Sequence, residues 1–195
     1  LQKHSNTYHN KSSFKVLAIT GTNGKTTTKE LIAKVLSQKF KINFTQGNLN
    51  NHIGVPLTLL AMNDNTEFGI VEMGANHPGE IATLCSVADP DYGIITNIGM
   101  SHIGMLGSRE NIFKAKSELI RHIKPGGKLI INGDDAFLIK LKEMEEPCTI
   151  SIGTGLQNDC RFYNTVSDEN GCYSFEFEEY KYKLGIRGFH NIYNA

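Results

Sequence analysis

The sequence lacks most features that would mark a specialised surface or compartment. It has no net charge, with twenty Lys and Arg against twenty Asp and Glu over 195 residues. A partner held by bulk charge, whether nucleic acid or a membrane surface, is therefore not expected, although a local phosphate site remains compatible with this balance. No apolar run approaches the length of a membrane span, and the first residues do not read as a signal peptide. The four cysteines, Cys85, Cys148, Cys160 and Cys172, form no Cys-x-x-Cys pair. They read as reduced core or strand residues of a cytosolic protein. There is no internal repeat and no low-complexity tract. Length and composition suit one good-sized core, with or without a small appendage. Leu1 stands first and a new helix is starting at Ala195, so a piece of a longer protein is expected.

What the chain does have is Gly21-Thr22-Asn23-Gly24-Lys25-Thr26-Thr27-Thr28. An apolar run, Val16 to Ile19, precedes it and reads as a buried strand. Lys29 to Gln38 follows with helical spacing of Leu31, Ile32, Val35 and Leu36. Strand, glycine turn, Gly-Lys-Thr and helix is the layout of a phosphate-binding loop. Glycines allow backbone N–H groups close to phosphate oxygens, the helix N-terminus adds partial positive charge, Lys25 adds a full one, and the Thr26 hydroxyl suits magnesium. The interval from Gly21 to Gly24 is shorter than in the usual form.

The rest alternates. Strands are expected at Lys41–Thr45, Phe68–Met73, Tyr92–Ile98 and Lys128–Asn132, and helices at Val55–Met62, Pro78–Ala88, Ser108–Ile123 and Asp134–Met144. Pro56 falls in a first helical turn, which it favours. The pattern predicts an α/β fold, a mostly parallel sheet covered by helices on both faces. From Cys148 onward it changes to an antiparallel meander: Tyr173, Phe175 and Phe177 alternate with polar residues, and Asp168-Glu169-Asn170-Gly171 marks a turn. Residues 1–13 read as a linker or the stub of a preceding domain, and 14–195 as one domain.

In a parallel sheet ligands gather at the carboxyl ends of the strands. Glu72 closes the third strand, as a magnesium ligand or as the cap of the next helix. His102, in the loop Gly99 to Gly104, is a second metal ligand or a surface histidine. Lys116 lies on the apolar stripe of its helix with Ile112, Phe113 and Ile120, so it must snorkel, pair or lose its charge. A neutral buried amine can react with carbon dioxide to give an anionic carbamate. Asn48, Asn50, Asn51 and His52 form an amide-rich loop suited to a ligand with many oxygens, or a well-bonded turn. No Ser-His-Asp set and no guanine-reading Asn-Lys-x-Asp motif is apparent.

The loop at Gly21–Thr28 resembles the ATP loop of the Mur ligases, a superfamily that includes folylpolyglutamate and cyanophycin synthetases. Gly47 to Thr58, Glu72 to Ile81, Ser101-His102, Phe113 to Glu118 and Gly188 to Ala195 resemble the branch that adds D-alanyl-D-alanine. The resemblance runs from about residue 14 to the end and corresponds to the central ATPase domain. It implies that Gly21, Thr22, Asn23, Gly24, Lys25, Thr26 and Thr27 hold the ATP phosphates, with Thr26 on magnesium. It implies Glu72 and His102 as magnesium ligands and Asn191 and Asn194 near the adenine. Asn48, Asn50 and Asn51 would face a nucleotide-sugar peptide. Lys116 matches a position carbamylated in several relatives, with Ser117 here in place of their glycine. The implied reaction is ATP-dependent amide formation in peptidoglycan precursor synthesis. The carboxylate of UDP-N-acetylmuramoyl-tripeptide takes the γ-phosphoryl group, and D-alanyl-D-alanine then attacks the acyl phosphate. Lys25, Glu72, His102 and Lys116 are the expected catalytic set. The family has three domains, so this chain alone is expected to fold without turning over, as a monomer.

Overall fold

The computed structural model describes residues 2, 14–100, 103–144 and 147–195. The expected linker, apart from Gln2, and the pair Ser101-His102 lie outside the described residues. Strand β1 (Lys15–Thr20) is third in a nine-stranded sheet of order β2-β3-β1-β4-β5-β6-β7-β8-β9. Its neighbours β3 (Phe68–Glu72) and β4 (Tyr92–Ile95) both run parallel to it, Ala18 standing beside Val71 and Gly93. β2 (Ile42–Phe44) pairs with β3 at one edge. On the other side come β5 (Lys128–Asn132) and β6 (Cys148–Gly153), also parallel.

The two-residue period of β1 divides the core. Val16 and Ala18 face one side and join Val71, Met73, Ile95, Leu129 and Ile131. That side is covered by α2 (Gly54–Leu60), α3 (Glu80–Ala88) and α5 (Arg109–Ser117), through Leu59, Ile81 and Ile112. Leu17 and Ile19 face the other side, with Ile70 and Ile94, and pack on α1 (Lys25–Leu36) through Ile32, Ala33 and Leu36. Each of these buried aliphatic side chains contributes about 1.5–3 kcal/mol, and burial on both faces explains why the strands read as unbroken apolar runs. The short α4 (Ile103–Leu106) precedes α5.

The expected α/β sheet with its antiparallel C-terminal extension is what the structure has, with corrections. α1 begins at Lys25, not Lys29, because Gly24 in the left-handed region (φ 83°) turns the chain straight into the helix. The Ser108–Ile123 helix is α-helical to Ser117, capped by the Ser108 hydroxyl accepting from Asn111 N, and tightens to a 3₁₀ turn over Glu118–His122. The Asp134–Met144 helix shrinks to a 3₁₀ turn, Leu138–Glu143. Asp134 is committed elsewhere, accepting from Thr154 N at 2.7 Å, and Asp135 is shared: its Oδ1 accepts from Phe137 N at 2.9 Å at the start of this turn, while its Oδ2 accepts from Ile98 N at 2.8 Å. The meander also starts later than Cys148. β6 is parallel, and only β7 (Cys160–Ser167), β8 (Cys172–Phe177) and β9 (Tyr180–Arg187) pair antiparallel. Phe162 and Phe175 pack there with Ile192 of α6 (His190–Asn194).

Candidate active site

The phosphate loop is fixed to the segment that follows β4 before any ligand is considered. Thr22 N donates to Asn97 O (2.9 Å), Asn23 N to Asn97 Oδ1 (3.1 Å), and Asn97 Nδ2 returns to Asn23 O (2.9 Å). The buried Thr22 hydroxyl accepts from Gly99 N at 2.9 Å. Thr22 and Asn23 therefore shape the loop. Gly21 (φ 138°) and Gly24 (φ 83°) must stay glycine: a Cβ would strike Thr96 Oγ1 at the first and Asn194 Oδ1 at the second. The first helical amide satisfied within α1 is that of Thr28, which donates to Gly24 O at 2.8 Å, so the N–H groups of the preceding turn are directed outward as an anion site. Thr26 is exposed and Thr27 half-buried at that end.

Lys25 Nζ folds back onto Gly21 O (2.9 Å) and Thr22 O (3.0 Å). Burial lowers its pKa, against the opposing pull of Glu72. It lines a cavity of about 740 Å³ that also takes in Asn50, Asn51, Gly74, Glu80 and Lys116. Lys116, 2% exposed, donates to Ala75 O at 3.2 Å. Burial, then the charge of Lys25, pushes its pKa down to about 8, while Glu80 and Glu118 pull the other way. The apolar-stripe placement of Lys116 is thus correct, and snorkelling does not describe it.

Glu72, 2% exposed, ends β3 behind Asn50, whose Nδ2 donates to Oε1 at 2.9 Å. Its other oxygen, Oε2, is buried with no hydrogen-bond partner among the described residues. Such an orphaned carboxylate oxygen fits a divalent cation. Among the described residues no group of three His, Cys, Asp or Glu gathers for a metal. Glu72 does not cap the next helix: Glu118 reaches Gly79 N (2.7 Å) and Ala82 N (3.0 Å) at the start of α3.

The amide loop divides. Asn50 and Asn51 line the cavity, whereas Asn48 is exposed outside its lining. Asn51 Oδ1 also accepts from Ile53 N and Gly54 N, each at 3.0 Å, so it is a turn residue as well. His102 lies outside the described residues. Asn191 and Asn194 are buried on α6: Asn191 Nδ2 donates to Arg187 O (2.6 Å) and Asn194 Nδ2 to Asn191 Oδ1 (2.9 Å). Asn194 lines a second hollow, about 440 Å³, across the loop from the first.

That hollow is lined by Asn97, which the strand-end rule does select, and by residues the sequence reading missed: Asn132, His190 and Tyr193. Asn132 ends β5, and the strand-end rule that selected Glu72 would also have selected it. Tyr193 is held by its hydroxyl donating to Asp134 Oδ2 at 2.8 Å. Burial pushes Asp134 up, but donors from Thr154, Tyr193 and Asn158 outweigh it and leave its pKa at about 2. Lys29 was also missed, a lysine with no exposure at all.

A parallel sheet, a glycine loop opening a helix and polar cavities on both sides of that loop define an α/β domain of the phosphate-loop class. The profile of the Mur ligase middle domain matches residues 19–195, and the chain belongs to that family. It is 42% identical over 196 residues to the UDP-N-acetylmuramoyl-tripeptide--D-alanyl-D-alanine ligase of Bacillus subtilis, covering 100% of this chain and 42% of that protein. The Escherichia coli ligase of the same name is 40% identical over 121 residues, covering 62% of this chain and 27% of that protein. Among solved structures, MurF from Acinetobacter baumannii superposes with a TM-score of 0.91 at 33% identity, covering 100% of this chain and 43% of that one. The MurF ligase of Thermotoga maritima in complex with ADP gives 0.87 at 32% identity, covering 99% and 46%. The chain spans less than half the length of these relatives.

Proposed function

We propose that this domain binds ATP with magnesium and is the phosphoryl-transfer centre of a ligase that joins D-alanyl-D-alanine to UDP-N-acetylmuramoyl-tripeptide. The observation that carries the reading is the convergence of Lys25, Lys116 and Asn50 on one cavity beside the phosphate loop, with Glu72 bonded to Asn50 directly behind it. In this reading the ATP phosphates lie on the α1 N-terminus, and the base lies in the hollow with Asn194. The tripeptide carboxylate enters past Asn50 and Asn51. Two anions must then meet, the γ-phosphate and the carboxylate. Lys25 releases the loop carbonyls that it bonds here and turns to the phosphate oxygens. Thr26 and Glu72, with His102, would hold magnesium, which supplies neutralising charge when bound. The carboxylate oxygen attacks the γ-phosphorus, the bond to the β-phosphate oxygen breaks, and an acyl phosphate and ADP result. The amine of D-alanyl-D-alanine attacks the acyl carbon, loses a proton and expels phosphate. No enzyme nucleophile is required.

Lys116, with its pKa at about 8, carries a neutral fraction at neutral pH and is the residue expected to take up carbon dioxide as a carbamate. Native mass spectrometry with and without bicarbonate checks that on Lys116. The relatives' names carry the substrate identity, at 42% and 40% identity. In this reading the reaction runs in the bacterial cytoplasm, and this chain's share of it is nucleotide handling. Calorimetry tests the site: Mg-ATP is expected to bind this chain and to bind far more weakly after Lys25→Ala. Affinity that survives this substitution would overturn the assignment. Robust phosphate release by this chain alone, given both substrates, would overturn the division of labour.

A further inference from the structure

We propose that Lys29 is a positioning residue for the Glu72 carboxylate. It sets an opposing charge beside Glu72 and leaves Oε2 open for a divalent cation. The inference rests on the nucleotide and magnesium reading above and assigns a role to a residue outside that reading.

Lys29 follows Lys25 by one helical turn, so both start from one face of α1. Lys25 reaches the cavity, but Lys29 is 0% exposed. Its ammonium donates to Thr45 O at 2.7 Å and lies 3.1 Å from Glu30 Oε1 and 3.8 Å from Glu72 Oε2. Burying an ammonium is costly, and an apolar side chain of equal length would serve packing at least as well. The charge therefore needs a reason. Glu30 does not supply it, because that carboxylate is 55% exposed and water can serve in its place. Glu72 does, because its side chain is 2% exposed.

The distances separate charge compensation from hydrogen bonding. At 3.8 Å Lys29 is an ion-pair partner of Oε2 but too distant to occupy its lone pairs. Two other groups fix the orientation: Asn50 Nδ2 holds Oε1 at 2.9 Å, and Glu72 N donates to Thr45 Oγ1 at 3.0 Å. Thr45 is thus gripped at its carbonyl by Lys29 and at its hydroxyl by Glu72 N. These bonds tie α1, the end of β2 and the end of β3 into one unit. Within it one oxygen, Oε2, is left without a hydrogen bond.

The test is calorimetric titration of ADP into this chain over a range of Mg²⁺ concentrations, alongside the melting temperature without ligand. Lys29→Met leaves the buried Glu72 carboxylate without its opposing charge, so it is expected to fold with a lowered melting temperature. It should bind ADP in EDTA as before, and need about tenfold more Mg²⁺ or higher for half-maximal enhancement, the usual cost of losing an outer-shell partner. In a Glu72→Gln background, adding Lys29→Met should change the Mg²⁺ response by less than about twofold, because the effect runs through Glu72. If Lys29→Met does not fold, Lys29→Gln, which keeps a donor for Thr45 O without the charge, carries the same expectation. A Mg²⁺ requirement within about twofold of the unsubstituted chain overturns the proposal, as does an equal further loss on top of Glu72→Gln. An unsubstituted chain with no Mg²⁺-dependent ADP binding overturns the nucleotide reading itself, and the Lys29 role with it.

Discussion

Around β1, β3, β4 and β5 the sheet is covered on both faces, and Lys29, Glu72, Asp91 and Lys116 lie buried within that half. On β7, β8 and β9 no charged side chain is buried; Arg161, Lys181, Lys183 and Arg187 all stand in solvent. The parallel half itself has two ends that treat charge differently. At the amino end of the strands Asp91 is fully engaged: Val16 N donates to it at 2.9 Å, Lys15 lies at 2.9 Å and Lys124 at 3.6 Å. At the carboxyl end Glu72 keeps an oxygen without a hydrogen bond, and Lys116 donates to Ala75 O, a carbonyl that offers no counter-charge. Buried charge that is saturated holds a fold together. Buried charge with bonding capacity to spare marks chemistry.

Four substitutions test that contrast. In the extension, Phe162 packs edge-on to both Phe175 and Tyr193, so Phe162→Ala should lower stability by about 3–5 kcal/mol in chemical denaturation. Because Tyr193 also lines the hollow beside the loop, ADP affinity should fall with it. Retained affinity would show the two regions to be independent. In the parallel half, Lys116→Met should have the opposite sign. The displacement of Lys116 from 10.5 to about 8 corresponds to roughly 3 kcal/mol. The unfolded chain binds the extra proton between those values, so the native state loses stability as pH falls from 10.5 to about 8 and carries the whole cost below that. Lys116→Met should therefore be more stable at pH 7, with an advantage that fades above pH 8, read from melts across pH; a gain that persists at high pH would remove titration as the cause. Lys25→Ala should leave stability nearly unchanged and weaken Mg-ATP binding roughly 10²-fold, since a charged donor to phosphate is lost. The smallest effect belongs to Val35, 69% exposed on α1, where Val35→Ser should move stability by less than about 0.5 kcal/mol.

Where pattern and local chemistry agreed, the residues could be read from the chain. The alternation of Tyr173, Phe175 and Phe177 announced β8, and the apolar spacing put Lys116 on the core-facing stripe, although spacing alone left snorkelling open. β6 was misassigned because Cys148-Thr149-Ile150-Ser151-Ile152 alternates like an exposed strand, and nothing in that alternation tells parallel pairing with β5 from antiparallel pairing. The 134–144 helix failed for a similar reason. Asp135 does start a turn, its Oδ1 accepting from Phe137 N, but Asp134 binds Thr154 and the other oxygen of Asp135 binds Ile98 N, contacts that no local window contains. Asn48 shares its composition with Asn50 and Asn51, and only the loop's path sends it outside the cavity lining.

By itself the sequence determined the phosphate loop, the strand–helix alternation and the family. Each rests on residues close together in the chain: glycines where a left-handed turn is required, apolar positions at a helical or strand period. The tertiary structure decided which charges lack a full set of partners. Lys29 reads as an ordinary helix lysine until α1 is laid against the ends of β2 and β3, where its ammonium meets Thr45 and Glu72. The reason is physical: the cost and use of a buried charge depend on what surrounds it in space, and those neighbours come from strands brought together only by the sheet.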